Sequence, residues 1–124
     1  MKIAALIARI LLGVMFTVFG LNGFLHFIPQ PPMAPGDALT FVMVLAGTHY
    51  MVLVFAIQIV CGILFLVGKY VPLALTLIGP VIVNILLFHG LMQPAGIIPG
   101  ALATVLWFVV FAKERDAFAG IFRA

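Results

Sequence analysis

Charged residues are scarce in this sequence. They make up 7% of its 124 residues, whereas a soluble domain carries roughly 25%. Hydrophobic residues make up 66%, and the mean hydropathy is +1.39. This composition excludes an ordinary soluble domain and predicts an integral membrane protein with a single domain over residues 1–124.

Cysteine is nearly absent as well. Cys61 is the only one, and it lies within an apolar run. A single cysteine excludes an internal disulfide and a CxxC redox pair. The sequence also has no recognisable motif for flavin, haem or an iron–sulfur cluster, so it identifies no cofactor. Its few cations are scattered beside apolar runs, which excludes a nucleic-acid-binding patch.

Four apolar runs are long enough, or nearly so, to cross a bilayer. They cover about residues 4–27, 50–67, 71–91 and 97–113. The first exceeds the apolar core of a signal peptide, roughly 7–15 residues, and is interpreted as a retained span. We therefore predict an all-α, four-helix transmembrane bundle. A short helix at about residues 38–46, capped by Asp37 and ended by Gly47, is predicted in the first outer loop, at the interface or dipping into the bundle.

The cations indicate the orientation in the membrane. The loops at residues 28–49 and 92–96 contain no lysine or arginine. The termini and the remaining connection carry Lys2, Lys69, Lys113, Arg115 and Arg123, with Arg9 within reach of the same surface. By the positive-inside rule, both termini are predicted to lie in the cytoplasm, with the protein in the inner (cytoplasmic) membrane of the cell.

Prolines and small residues mark special positions. Pro80 lies mid-span and leaves the carbonyl of Thr76 without its helical donor, so a bend is expected there. Four prolines exclude a continuous helix at residues 29–36. Two stripes of small residues predict close helix packing: Gly13, Thr17 and Gly20 in the first span, and Gly96, Gly100 and Thr104 in the fourth.

Polar residues near the outer ends of the spans define a candidate ligand-binding pocket. Three histidines and two asparagines lie there at similar predicted depths: Asn22, His26, His49, Asn84 and His89. The short helix after Asp37 would roof this pocket. Histidine titrates near neutral pH and can exchange protons or bind a quinone carbonyl or a metal. The spacings lack the close histidine pair of a strong metal motif, so no metal site is predicted.

The same residues have a structural interpretation. Asparagine within a span can form a hydrogen bond between helices, and histidine at a span boundary can simply face water. Geometry adds a constraint, because Asn84 and His89 are five residues apart and point about 140° from each other on an ideal helix. They face one pocket only if Pro80 shifts the register.

Four segments resemble a known family: residues 8–13 (ARILLG), 20–27 (GLNGFLHF), 68–75 (GKYVPLAL) and 80–89 (PVIVNILLFH). They resemble the DoxX-like family of small four-helix integral membrane proteins. That family is named for a subunit associated with thiosulfate:quinone oxidoreduction, and other members are linked to membrane redox complexes. The resemblance implies a four-helix membrane bundle associated with such a complex.

Three functional hypotheses follow. The first is an accessory subunit of a membrane redox complex, with a quinone or another small ligand in the outward pocket. The second is a structural or assembly subunit without a ligand, which packs through its glycine stripes against other subunits or copies of itself. The third is a small transporter or metal-handling protein. The sequence assigns no catalytic residue and leaves open whether the protein is an enzyme.

Overall fold

The structure consists of four long apolar helices and one short one. This computed structural model describes residues 2–29 and 32–124. A single 3₁₀ turn, Arg115–Phe118, follows the last helix. The helices are α1 (Lys2–Leu25), α2 (Asp37–Gly47), α3 (Tyr50–Val67), α4 (Val71–Leu91) and α5 (Ile97–Glu114). The predicted all-α fold is confirmed.

The four long helices are apolar and long enough to cross a membrane. This confirms a multi-pass membrane protein in a lipid bilayer. α3 and α4 begin and end where the sequence predicts, whereas α1 lies two residues earlier at each end. The early end of α1 has a local cause, since His26 adopts a left-handed backbone with φ 52° and cannot continue the helix.

The four spans form a closed ring around one core. α1 packs against α3 and α5, and α4 packs against the same two helices, so α1 and α4 lie diagonally across the bundle. Most large side chains on the outer surface are apolar and exposed, as expected for residues that face lipid. The largest fully buried side chains are Phe16, Phe65, Leu12, Leu75, Ile78, Val110 and Cys61.

Glycines bring α1 and α3 into backbone contact. A Cβ atom on Gly13 would lie 2.9 Å from the carbonyl oxygen of Gly62, and one on Gly62 would lie 3.0 Å from the carbonyl oxygen of Gly13. Gly20 likewise faces Ile59 and Phe55 of α3. On the other side of the bundle, Gly100 of α5 packs against α4. The close packing predicted for both stripes is therefore confirmed, and it lies inside the bundle.

The short helix α2 differs in its ends from the prediction. Gly36, not Asp37, occupies the N-cap position, and no side chain of the described residues caps the helix. Asp37 is instead the first helical residue, where its charge favours the positive end of the helix dipole. Gly47 is the last residue, and the Thr48 hydroxyl donates a 2.8 Å hydrogen bond to the carbonyl of Val44. Of the predicted proline-rich loop, Gln30 and Pro31 lie outside the described residues.

Candidate functional site

Asn22 and His26 shape the turn that follows α1. The backbone N–H of Ile28 donates a 2.8 Å hydrogen bond to Oδ1 of Asn22. The backbone N–H of His26 bonds to the carbonyl of Asn22, also at 2.8 Å. Asn22 is half-buried, while the His26 ring is exposed. In this arrangement Asn22 satisfies a free backbone donor beyond the helix end, which is a structural role.

His49 occupies the turn between α2 and α3. Its backbone is left-handed, with φ 61°, and it immediately precedes the first residue of α3. Histidine is among the non-glycine residues most often found in this conformation, and its ring is exposed here. The position therefore has a conformational explanation that needs no ligand.

Asn84 lies on the lipid-facing side of α4. Its Nδ2 donates a 2.8 Å hydrogen bond to the carbonyl of Pro80, one turn earlier in the same helix. Both residues are exposed, as is Thr76 one further turn back. The buried positions of α4 lie on the opposite side and include Ile78 and Ile82. Asn84 consequently points toward lipid rather than into the bundle core.

His89 lies on a different side of α4, next to the start of α5. Its ring is half-buried, and Nδ1 lies 3.0 Å from the carbonyl oxygen of Gln93. A carbonyl accepts only, so Nδ1 carries the proton and Nε2 is left as an acceptor. A Cβ on Gly96 would lie 3.0 Å from the His89 ring, so glycine makes room for it. The ring also meets Phe88 edge to face, with centroids 5.1 Å apart.

The five candidate residues are spread over two helices, α1 and α4, and two turns, the one after α1 and the one between α2 and α3. Among the described residues, no side-chain hydrogen bond joins any two of them. The asparagines and His89 each bond to nearby backbone instead. α1 and α4, which carry three of the five, lie diagonally opposite each other. The shared pocket remains a prediction. The short helix α2 contacts α4, since Phe41 stacks on Phe88 with centroids 5.9 Å apart, and its role as a roof is likewise a prediction.

Comparison with known proteins adds no relative. No family model, curated protein or solved structure matches this chain. The resemblance to the DoxX-like family accordingly stays a prediction. Nor do the described residues contain a group of three histidine, cysteine or acidic side chains that could hold a metal ion.

The opposite end of the bundle holds a feature that the sequence interpretation missed. We call it the cationic end, formed by the start of α1, the α3–α4 turn and the end of α5. There Nη1 of Arg9 donates hydrogen bonds to the carbonyl of Phe65 and, at 3.5 Å, to that of Leu66. These carbonyls belong to the last turn of α3, which lacks helical donors and carries the negative end of the helix dipole. The Arg9 side chain thus caps the C-terminal end of α3.

Gly68 makes this contact of Arg9 possible. It has φ +73°, and a Cβ there would lie 2.7 Å from Nη1 of Arg9. The interpretation of Arg9 as an orientation signal alone was therefore incomplete. Two signals in the sequence point to the contact: a cation placed well inside a span, and a glycine at the end of another span on the same side.

The described structure contains at least two cavities. One, of about 150 Å³, lies at the cationic end and has Arg9, Lys113 and Glu114 in its wall. The other, of about 220 Å³, lies between α3 and α4 and is lined by apolar side chains and Cys61. None of the five candidate pocket residues lines either cavity.

Proposed function

We propose that this protein is an accessory membrane subunit that associates with a second copy of itself through the lipid-facing side of α4. It resides in the inner (cytoplasmic) membrane with both termini in the cytoplasm, as the distribution of its cations favours. Self-association builds the scaffold on which further membrane subunits, including redox subunits, assemble.

The proposal rests on incompletely paired polar groups that face lipid. Thr76, Pro80 and Asn84 are spaced by four residues and form one exposed stripe, the α4 stripe. Pro80 has no N–H, so the carbonyl of Thr76 lacks its helical donor. The only hydrogen bond of the Asn84 side chain to a described residue goes to Pro80, which leaves one N–H and Oδ1 free. In hydrocarbon such groups are costly to leave unpaired.

A second copy satisfies these groups by symmetry. Copies inserted with the same topology place identical residues at identical depths, so parallel α4 helices bring Asn84 opposite Asn84. A carboxamide is both donor and acceptor, which allows each side chain to bond to the other. Asparagine between membrane helices is a known source of such association.

The glycine stripes do not serve this purpose. Gly13 and Gly20 contact α3, and Gly100 contacts α4, so these residues are used within one chain. We therefore base self-association on the α4 stripe rather than on the stripes predicted from the sequence.

Association in bilayers tests the proposal. Asn84→Leu is expected to weaken the dimer about 5- to 30-fold, which corresponds to the roughly 1–2 kcal/mol of an interhelical asparagine bond. Asn84→Gln keeps the carboxamide and should retain most of the affinity. Energy transfer between labelled copies, diluted with increasing lipid, measures both variants.

Disulfide cross-linking locates the interface. In a Cys61→Ala background, Leu87→Cys on α4 should cross-link rapidly, because this side chain is 52% exposed on the face of the stripe. Leu102→Cys on α5, 49% exposed and at a similar distance from the same end of the bundle, is the matched control. Equal cross-linking of the two, or a parent that stays monomeric in mild detergent and in bilayers, contradicts the proposal.

A second candidate function is the binding of a quinone within a membrane redox complex. The half-buried His89 ring favours it, because Nε2 can accept a proton from a quinol hydroxyl while Nδ1 stays bonded to Gln93. Binding of a quinone analogue should then weaken at least tenfold on His89→Ala. Asn84→Leu, on the other face of α4, should leave this binding unchanged. If the parent protein does not bind the quinone analogue, the candidate is ruled out.

A further inference from the structure

The cavity at the cationic end has the walls of an anion site. Arg9 of α1 and Lys113 of α5 supply two positive charges, and Glu114 supplies one negative charge. The rest of the wall includes Ala5, Val71 and Val110, which are apolar. The cavity of about 150 Å³ is many times larger than the roughly 10–15 Å³ needed to hold one water molecule, so it can accept a group as large as a phosphate.

Arg9 is held in place by two hydrogen bonds that leave some of its N–H groups without a described partner. Its hydrogen bonds with described residues come from Nη1 alone and go to main-chain carbonyls. Guanidinium has five N–H groups, so those on Nε and Nη2 remain for a ligand. A planar, fixed donor of this kind suits the oxygens of a phosphate, with which it can form two parallel hydrogen bonds.

The position of the cavity along α1 favours a phospholipid as the source of the phosphate. Arg9 lies seven residues after Lys2, or roughly 10 Å along α1, so with Lys2 at the headgroup surface Arg9 reaches the level where headgroups meet acyl chains. The neighbouring Leu6 lines the cavity and is 47% exposed, so acyl chains have an apolar surface to follow. Basic cavities between membrane helices at the cytoplasmic side bind anionic headgroups in this way.

We propose that this cavity binds the phosphate of an anionic phospholipid. Arg9 and Lys113 hold the phosphate oxygens, while Ala5, Leu6, Val71 and Val110 contact the first carbons below the headgroup. The site is independent of the α4 stripe and of the histidines, so it stands or falls separately from the proposed function.

Lipid competition tests the proposal on the full chain. The purified protein is placed in phosphatidylcholine bilayers with a minor fraction of phosphatidylglycerol whose acyl chains are brominated, and quenching of the only tryptophan, Trp107, reports lipid bound nearby. The parent is expected to prefer the anionic lipid. Lys113→Gln should lower this preference about fivefold, as expected for one cation near a membrane surface. Glu114→Gln should raise it, because it removes the opposing charge.

Matched controls separate the cavity from the general surface charge. Lys69→Gln and Asp116→Asn remove a cation and an acid at the same end without altering the cavity wall, and neither should change the preference. If Lys69→Gln acts as strongly as Lys113→Gln, or the parent shows no preference, the proposal is wrong. Inorganic phosphate is the remaining arm: displacement of the lipid by millimolar phosphate would show a site for free phosphate instead. Arg9→Lys keeps the positive charge at the C-terminal end of α3 but removes the planar guanidinium. It should weaken lipid binding while the protein stays folded.

Discussion

At the scale of single residues, Gly62 shows how closely two spans approach. It faces Thr17 of α1, and a Cβ at this position would lie 2.6 Å from the backbone nitrogen of Thr17. Backbone cannot rotate away as a side chain can, so the helices would have to separate. The Thr17 hydroxyl oxygen is buried beside Gly62 and has no hydrogen-bond partner among the described residues. Close packing of α1 on α3 therefore depends on glycine here.

Gly62→Ala is predicted to destabilise the protein by about 1–3 kcal/mol, the usual cost of overpacking. Gly90→Ala is the matched control, since a Cβ on this helical glycine meets nothing within 4 Å. There the substitution should be neutral or stabilising by up to about 1 kcal/mol. Unfolding in detergent with increasing sodium dodecyl sulfate measures both, and equal effects of the two alanines would contradict the packing argument.

At the scale of helices, Trp107 joins α5 to α4. Its Nε1 donates a 3.0 Å hydrogen bond to the carbonyl of Leu75, five residues before Pro80. The same ring stacks on Phe111 with centroids 5.2 Å apart. A side-chain donor from α5 thus reaches the backbone of α4 close to where proline interrupts the helical hydrogen bonds.

Trp107→Phe removes this hydrogen bond and keeps an aromatic ring. The expected loss is about 0.6 kcal/mol, and at most about 1.7 kcal/mol, as for other hydrogen bonds between membrane helices. Val105→Ala on the lipid-facing side of α5 should cost less, because that side chain is exposed. The same detergent unfolding experiment decides, and a Trp107→Phe variant as stable as the parent would show that the bond contributes nothing.

At the scale of the whole molecule, the fold places all lysines and arginines at or beyond one end of the bundle. The antiparallel packing of α1 on α3 and of α4 on α5 puts both termini and the α3–α4 turn at this end. The three histidines lie at the other end, in or next to the remaining connections.

This arrangement predicts that both termini face the cytoplasm. Alkaline phosphatase fused after Ala124 should be inactive, and a green fluorescent protein fused at the same point should fluoresce. Fusions within the loop before α2 should give the reverse pattern. The distribution of lysine and arginine determines both results by the positive-inside rule. Moving the cations of Lys113 and Arg115 to the loop at residues 92–96 should therefore reduce the fraction of molecules in which α5 has its C-terminal end in the cytoplasm.

The sequence predicts the spans well because the bilayer determines them. Their length and lack of charge follow from hydrocarbon thickness, and α3 and α4 match the predicted bounds. The end of α1 was less predictable, since it depends on the left-handed His26 and the bond from Ile28 to Asn22. Hydrophobic periodicity carries no information about such turns.

The sequence predicts how far along each helix the candidate site residues lie, but not which side of the helix they are on. Composition and charge place Asn22, Asn84 and His89 near one end, yet they do not say which side of a helix faces which neighbour. That depends on the order of helices around the ring, which puts α1 and α4 on the diagonal. It also depends on local bonds, such as that from Asn84 to Pro80. Neither is encoded in a hydropathy pattern.

The bond from Arg9 to the end of α3 has a consequence for biosynthesis. The arginine is separated from Phe65 by 56 positions, so α1 leaves the ribosome long before its partner exists. Until α3 has been inserted, the guanidinium has only headgroups and water to bind. Insertion of α3 then replaces these partners with the main-chain carbonyls of Phe65 and Leu66. The arginine of the first helix therefore acquires its lasting partners only when the third helix is in place.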